Sequence, residues 1–202
     1  MDVVFVEVLI VVFSFLAGAI PFGYIIGKIK GVDIRKYGSG NIGATNVSRV
    51  FGKKIGILVF FLDVLKGVIP VLLVKYTGLP LKFQFIAALM AVLGHCFSPF
   101  LRFKGGKGVA TGIGAFFVLS PVTAAIAIVT FSVVFFTTRY VSLSSITAVA
   151  VYVLVFKYYV SSLPNEYIFV AIAGFVIIIK HYKNIIRLLK GEEKKYGTEK
   201  IS

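Results

Sequence analysis

Seven apolar segments account for most of this 202-residue chain, of which 58% is hydrophobic. They lie at about residues 3–26, 55–74, 83–100, 108–119, 121–138, 143–159 and 167–181. A helix needs about 20 apolar residues to cross a bilayer, and only helices and closed barrels satisfy their backbone hydrogen bonds in lipid. Pro121 separates the fourth segment from the fifth, because proline disrupts a helix interior. We therefore predict an all-α, polytopic membrane protein with seven transmembrane helices and one domain over residues 1–202.

The basic residues are distributed unevenly between the predicted loops. The chain carries 22 Lys and Arg against 8 Asp and Glu. Of the 22, 18 fall in the loops that follow the first, third and fifth apolar segments and in the C-terminal tail, and three fall in the loops on the opposite side. The positive-inside rule then places the N-terminus outside and the C-terminus in the cytoplasm, with a polar turn at residues 161–165 outside. Positive charge confined to short loops between spans favours anionic lipid and anionic substrates as partners, and it argues against nucleic acid.

Two of the cytoplasmic loops combine glycine with basic residues. The first basic loop, residues 36–49, reads KYGSGNIGATNVSR, and the second basic loop, residues 103–108, reads FKGGKG. Glycine lets the backbone approach an anion closely, and lysine adds a mobile charge that suits phosphate. These loops predict a phosphate-binding site at the membrane surface. The alternative for the second loop, that it is a flexible basic connector, stays open on this pattern alone.

Three familiar kinds of site do not fit the sequence. Residues 38–43 match the dinucleotide pattern GxGxxG, but a membrane helix precedes them where a strand is required. The second basic loop is not a Walker A loop, since Leu101 occupies the first glycine position and Gly108 the Ser/Thr position. One cysteine and two histidines without a carboxylate cluster argue against a protein metal site. We expect no metal and no cofactor.

Several polar residues within or beside the spans allow two interpretations. Asp63 and Lys66 lie one helical turn apart, so they are either a functional intramembrane pair or a self-neutralising structural pair. His95 is either a hydrogen-bonded packing residue or a base. The serines after Arg139 can either donate to phosphate or cap the sixth helix; they are Ser142, Ser144 and Ser145.

The seventh apolar run, residues 167–179, is short for a crossing at 1.5 Å per residue. We predict that its helix continues through Lys180 and His181 and becomes an interfacial amphipathic helix. His181, Asn184 and Leu188 are spaced i, i+3, i+7, so that helix presents both polar groups on one face at the depth of the bilayer surface.

Six motifs, in order along the chain, carry a resemblance to a known family. They read GSGNIGATNVSR, LDVLKG, LGHCF, FKGGKGVATG, RYVSLSSI and KHYKNIIRLLKG. In this order and spacing they resemble the bacterial acyl-phosphate:glycerol-3-phosphate acyltransferases, the PlsY family, over nearly the whole chain. The resemblance implies seven helices and transfer of a fatty acyl group from acyl phosphate to the 1-position of glycerol 3-phosphate. The products would be 1-acyl-glycerol-3-phosphate (lysophosphatidic acid) and phosphate, in the first step of phospholipid biosynthesis.

The resemblance also implies which residues form the site and where the protein works. The catalytic positions would be His181, Asn184 and Lys104. The substrate-binding positions would be Ser39, Gly40, Asn41, Thr45, Asn46, Arg49, Gly105, Gly106, Lys107 and Ser142. The expected partners are glycerol 3-phosphate, acyl phosphate and membrane lipid, with no cofactor. The expected form is a monomer that crosses the bacterial inner (plasma) membrane several times.

Two questions remain open on the sequence. His181 can serve as general base near its ordinary pKa of about 6.5, but a substrate phosphate, with a pKa of about 6, can accept the same proton. We therefore predict that His181 and Asn184 orient substrate and that phosphate accepts the proton. The alternative function is a transporter for a phosphorylated metabolite, although transporters bind near the midplane between repeated halves and no convincing internal repeat is present.

Overall fold

The computed structural model describes residues 3–159, 163 and 165–197, and all the regular structure in these residues is helical. Most of the polar turn predicted at residues 161–165 lies outside the described residues. The chain divides into two compact units, Met1–Leu119 and Ser120–Ser202. The prediction of a single domain therefore stays a prediction, and each unit is described by itself.

In its described residues the first unit contains six α-helices, and α4 contacts all of the other five. The helices are α1 (Val3–Ala19), α2 (Phe22–Ile29), α3 (Ala44–Phe51), α4 (Lys53–Lys75), α5 (Lys82–Cys96) and α6 (Val109–Leu119). α4 packs against α6, α3, α5, α1 and α2, and α1 also packs along α5. Two short 3-10 turns, Ile34–Lys36 and Pro99–Leu101, complete the unit.

Glycines allow two of these helix pairs to approach closely. A Cβ on Gly18 of α1 would overlap the backbone of Ala91 in α5, and one on Gly67 of α4 would overlap the carbonyl oxygen of Thr111 in α6. Small residues are favoured where membrane helices meet, because dispersion contacts rather than water exclusion hold the helices together. The α1–α5 and α4–α6 pairs are thus closely packed within the unit that carries both basic loops.

Pro21 divides the first predicted span into a bent pair of helices. α1 ends at Ala19, α2 begins at Phe22, and the two helices are bent by 43°. Proline lacks an amide hydrogen and disfavours a helical conformation in the residue before it, so the helical hydrogen-bond pattern stops here. The predicted span at residues 3–26 is therefore α1 together with the first part of α2.

Two details of the helices were not predicted. The third predicted span, residues 83–100, agrees with the candidate span Lys82–Leu101, but α5 itself ends at Cys96 because Ser98, the residue before Pro99, is not helical (φ −58°, ψ 121°). The first basic loop is not entirely irregular, since its last residues form α3, which begins after Gly43. The eight-residue helix went unpredicted because it is too short to give a clear apolar period.

Where the structure describes it, the second unit contains four helices: α7 (Pro121–Thr138), α8 (Val141–Tyr159), α9 (Tyr167–Ile179) and α10 (Tyr182–Leu189). α8 packs against α7, α9 and α10. The predicted continuous helix through Lys180 and His181 is wrong, because α9 and α10 are bent by 55° at these residues. The amide of His181 bonds the carbonyl of Ile178 at 2.9 Å, which tightens the last turn of α9.

Four helices have the length and hydropathy of membrane spans: α4, α7, α8, and α5 extended to Leu101. The bent pairs α1–α2 and α9–α10 bring the number to six if each pair crosses once. α6, with 11 residues, is apolar but shorter than a full crossing. The described residues therefore form an all-helical membrane protein with four to six candidate spans.

Candidate active site

Asn46 organises the first basic loop. It is 1% exposed, and its Oδ1 accepts a hydrogen bond from the Ser39 amide at 2.8 Å. Its Nδ2 donates to the carbonyl oxygens of Ile34, Tyr37 and Asn41 at 3.2, 3.1 and 2.8 Å. A buried amide needs such partners, and here they come from the loop's own backbone. Asn46 therefore supports the loop, and a direct contact with substrate stays a prediction.

The other predicted residues of this loop differ in their exposure. Ser39 and Gly40 are exposed, while Asn41, Thr45 and Arg49 are half-buried. The Gly40 amide donates to the Tyr37 carbonyl at 2.9 Å, and Asn41 Oδ1 accepts from the Gly43 amide at 2.8 Å. Gly38 and Gly40 have φ values of 58° and 71°, in the left-handed region that glycine adopts without strain. These backbone bonds hold the loop in a defined shape with Ser39 at its surface.

The second basic loop lies directly against His95 at the end of α5. The Gly106 amide donates to the His95 carbonyl at 3.0 Å, and a Cβ on Gly106 would overlap His95 Nε2. A Cβ on Gly105 would overlap the His95 carbonyl oxygen. These two glycines are therefore needed for close approach to His95. The sequence pattern predicts these glycines for a different reason, approach to an anion, but the Gly106 amide is already bonded within the protein.

The lysines of this loop project from a fixed backbone. The Ser98 carbonyl oxygen accepts from the Phe103 amide at 2.8 Å, and the Leu101 carbonyl oxygen accepts from the Lys104 amide at 3.1 Å. Arg102 and Phe103 adopt φ values of 53° and 61°, which are unfavourable for residues with a Cβ and therefore need such support. Lys104 is exposed and Lys107 is half-buried. The loop thus presents a mobile ammonium at its surface from a backbone held at both ends.

His95 is a buried residue with polar neighbours on more than one side. Its Nδ1 lies 3.2 Å from Thr111 Oγ1 and 3.8 Å from Asp63 Oδ1, and it is 4% exposed. Asp63 in turn forms an ion pair with Lys66 at 2.7 Å. These contacts favour the interpretation of His95 as a hydrogen-bonded packing residue over that of a base. They also support the structural interpretation of the Asp63–Lys66 pair.

In the second unit, Glu193 joins two of the predicted site residues. Its Oε1 accepts from Ser142 Oγ and from Asn184 Nδ2, both at 2.6 Å, and its Oε2 accepts from Arg187 Nε at 2.7 Å. Burial alone would raise the pKa of Glu193, but these hydrogen bonds and the Arg187 charge hold the pKa below its ordinary value. The carboxylate is therefore charged at neutral pH and fixes Ser142 and Asn184 side by side.

Glu193 was missed in the sequence because it lies in a charged tail without apolar periodicity. Two contacts hold that tail in place within the second unit. The Tyr196 amide donates to the Arg139 carbonyl at 2.9 Å, and the Tyr196 ring lies edge-on to Phe135. The available signal was an acidic residue among lysines just after a helix that carries Asn184, and it is too weak to identify a partner.

His181 is 2% exposed, and its Nδ1 lies 2.8 Å from the Ile177 carbonyl oxygen. A carbonyl only accepts, so Nδ1 carries a hydrogen, and in a neutral ring Nε2 is then the acceptor. In an uninterrupted helix the Ile177 carbonyl oxygen would accept from the His181 amide; here it accepts from the imidazole ring instead. The bend between α9 and α10 therefore also fixes the orientation of the imidazole.

Ser144 and Ser145 have partners of their own within α8. Ser144 Oγ donates to the Tyr140 carbonyl and Ser145 Oγ to the Val141 carbonyl, each at 2.8 Å. Neither is a cap, and neither belongs with the predicted phosphate contacts. The predicted residues thus fall into two groups, those of the two basic loops in the first unit and Ser142, His181 and Asn184 in the second, where Glu193 joins Ser142 to Asn184.

Comparison with known proteins shows the family to which the chain belongs. The family model described as glycerol-3-phosphate acyltransferase matches residues 8–191. Curated relatives with that name include proteins from Aquifex aeolicus, 47% identical over 93% of this chain and 97% of theirs, and from Fusobacterium nucleatum, 47% identical over 92% and 96%.

Two solved structures agree with this match. One is the glycerol 3-phosphate form of PlsY, an integral membrane glycerol 3-phosphate acyltransferase; it is 46% identical, with a TM-score of 0.89 over 95% of this chain and 96% of that one. The other is the lysophosphatidic acid form, 45% identical, with a TM-score of 0.86 over the same shares. The matches are to enzymes and give no support to the transporter alternative. The chain belongs to the glycerol-3-phosphate acyltransferase family.

Proposed function

We propose that this membrane acyltransferase moves a fatty acyl group from acyl phosphate to the 1-position of glycerol 3-phosphate. The products are 1-acyl-glycerol-3-phosphate and inorganic phosphate. The observation that carries the proposal is the match to PlsY over 95% of the chain, in structures described as the glycerol 3-phosphate and lysophosphatidic acid forms. Those two molecules are the acceptor and the product of this reaction.

The chemistry needs positioning and charge stabilisation more than a nucleophilic side chain. The 1-hydroxyl oxygen of glycerol 3-phosphate attacks the acyl carbonyl carbon, and the bond from that carbon to the phosphate oxygen breaks. The mixed anhydride is already activated, and phosphate leaves with the bonding electrons. The hydroxyl proton passes to a phosphate oxygen, whose pKa of about 6 makes it a suitable base near neutral pH. Orientation of the two substrates can supply much of the rate enhancement.

The two groups of residues suit different parts of this task. Arg49, Lys104 and Lys107 supply positive charge for substrate phosphate, with Ser39 and Thr45 as hydroxyl donors, and Gly40, Asn41, Asn46, Gly105 and Gly106 hold the loops that carry them. Ser142, His181 and Asn184 orient substrate through hydrogen bonds, and Glu193 fixes two of them.

The proposed topology has seven crossings, with α6 as a short one and the bent pairs α1–α2 and α9–α10 crossing once each. The N-terminus is outside and the C-terminus cytoplasmic, as the positive-inside rule requires. The acyl chain remains among the lipid tails while its carbonyl reaches the surface. We propose a monomer in the bacterial inner (plasma) membrane, in contact with membrane lipid.

A stoichiometric assay tests this function. Purified protein supplied with palmitoyl phosphate and glycerol 3-phosphate should release one inorganic phosphate for each lysophosphatidic acid formed, and should release almost none when glycerol 3-phosphate is omitted. Equal phosphate release with and without the acceptor would indicate a hydrolase and contradict the proposal.

A further inference from the structure

The break between α1 and α2 is held by side chains from two other parts of the first unit. The helix stops at Ile20 and Pro21, so the carbonyls of Ala19 and Ile20 lose their regular helical partners. Ser98 Oγ donates to the Ala19 carbonyl at 2.6 Å, and Lys66 Nζ donates to the Ile20 carbonyl at 2.7 Å. Both donors are buried. The bend therefore has fixed partners in α4 and in the segment after α5.

Lys66 is the centre of this arrangement. Its ammonium lies 2.7 Å from Asp63 Oδ1 and 5.6 Å from the centroid of the Phe22 ring, the first residue of α2. Both charged side chains of the pair are 3% exposed. A buried ion pair is weak support for stability, since an apolar pair of similar volume is often as stable or more so. Its specific contacts to the helix break therefore suggest a role in fixing geometry.

The pair also reaches the second basic loop. Asp63 Oδ1 lies 3.8 Å from His95 Nδ1, which in turn contacts Thr111 Oγ1. The His95 carbonyl accepts from the Gly106 amide, and the other ring nitrogen of His95 faces Gly106. A displacement of Asp63 would therefore move the His95 side chain and, with it, the backbone beside Lys104 and Lys107.

On the other side, α2 supports the first basic loop. A Cβ on Gly23 would overlap the Ile42 carbonyl oxygen and approach Val47, while Gly27 faces Val32 and Ile34. Ile34, Ile42 and Val47 belong to one buried apolar cluster, against which Tyr24 and Ile26 of α2 pack. The position of α2, which Lys66 fixes at its first residue, therefore determines where Ser39 and Arg49 lie.

We propose that Asp63 and Lys66 are positioning residues for acyl transfer, because one buried ion pair contacts the supports of both basic loops. The pair fixes α2, and with it the first basic loop, and it contacts His95, on which the second basic loop rests. This inference rests on the proposed function. It assigns the LDVLKG motif a role in aligning the phosphate-binding residues, without contact between the pair and substrate.

The test replaces both charges together, so that no isolated charge is left buried. Asp63→Leu with Lys66→Met keeps the volume of the pair, and Lys75→Met at the exposed end of α4 is the matched control. We expect the thermal unfolding midpoint of the double variant to lie within a few degrees of that of wild type. We expect its kcat/KM for glycerol 3-phosphate to fall by about 10²-fold, mostly through KM, because misplacement by about 1 Å costs that much. Lys75→Met should match wild type.

A folded double variant with wild-type kcat and KM would overturn the inference. If the double variant does not fold, Ser98→Ala decides the question, since it removes one hydroxyl from the same helix break. KM raised by about tenfold without loss of folding supports the inference, and an unchanged KM overturns it. Wild-type protein that fails to release phosphate would instead contradict the proposed function, and this inference would fall with it.

Discussion

Arg49 and Lys104 bring different kinds of positive charge to the two basic loops. Arg49 is half-buried in the last turn of α3, while Lys104 is exposed on a backbone held by Leu101 and His95. Guanidinium binds phosphate through a planar fork of donors, whereas ammonium is a compact point charge. The two residues are therefore expected to hold phosphate in different ways, one with fixed geometry and one with freedom to follow the substrate.

We expect Arg49→Ala and Lys104→Ala each to lower kcat/KM by about 10²–10³-fold, as loss of a charge-stabilising donor does elsewhere. Arg49→Lys should also be poor, because ammonium cannot reproduce a bidentate contact. Lys54→Ala, an exposed lysine at the start of α4, is the control and should match wild type. Phosphate release at varied glycerol 3-phosphate measures these effects. An Arg49→Ala enzyme with an unchanged rate and acceptor dependence would remove Arg49 from the site.

Substitutions of His181 test whether this side chain or the substrate phosphate accepts the proton. Glutamine forms hydrogen bonds but does not titrate near neutral pH, so His181→Gln should retain clearly more activity than His181→Ala if the residue orients substrate. The pH profile of kcat provides the second readout. Equal loss in both variants with intact substrate binding, together with a wild-type pKa near 6.5 that phosphate titration does not explain, would identify His181 as the base.

At the scale of elements, the tail after α10 is held to α8 through Glu193. Its pKa is lower in the folded protein than in an unfolded chain, so its bonds to Ser142, Asn184 and Arg187 stabilise the fold at neutral pH. That contribution is present above the ordinary carboxyl pKa and is lost as pH falls through the lowered pKa. The tail is thus expected to loosen in acid.

We predict that Glu193→Gln lowers the thermal unfolding midpoint at pH 7 and that the difference from wild type shrinks as pH falls from the ordinary carboxyl pKa through the lowered pKa of Glu193. Glu192→Gln, at the exposed neighbouring residue, is the control. A midpoint difference that stays the same from pH 7 to a pH below the lowered pKa of Glu193 would show that the charge of Glu193 does not contribute.

The elements differ in how well the sequence predicts them, for physical reasons. α4, α7 and α8 lie within two residues of their predicted bounds, because long uniform apolar runs determine them. The bend at Lys180 and His181 has no proline or glycine to mark it; it depends on a ring nitrogen that bonds a carbonyl four residues back. α3 is too short for a visible period and is stabilised by the buried Asn46 and Val47.

In the site, too, sequence motifs predict individual residues but do not predict contacts between residues that are far apart in the sequence. Motif resemblance predicts Ser142 and Asn184 as site residues, but their shared partner Glu193 lies 51 and 9 residues away in sequence and follows no spacing rule. Likewise, the glycines of the second basic loop were recognised, whereas their contact with His95 became visible only in three dimensions. The chemistry of the reaction indicates which residue types are needed, but only the fold shows which residues pair across helices.

For the whole molecule, topology is the first prediction. Single cysteines at the exposed residues Asn165 and Lys190, in a Cys96→Ala background, report the two sides of the membrane. The seven-span arrangement with a cytoplasmic C-terminus predicts that an impermeant thiol reagent labels position 165 in intact cells and labels position 190 only after permeabilisation. Labelling of position 190 in intact cells would contradict that arrangement.

The identity of the acyl donor tests the central claim most directly. If phosphate is both the leaving group and the group that the basic loops hold, the protein should use palmitoyl phosphate and leave palmitoyl thioesters of coenzyme A and acyl carrier protein unused. The measurement is formation of lysophosphatidic acid from each donor by purified protein at equal concentrations, with Lys104→Ala as the control for site-dependent turnover. We expect product from acyl phosphate alone, and comparable turnover with either thioester would contradict the account.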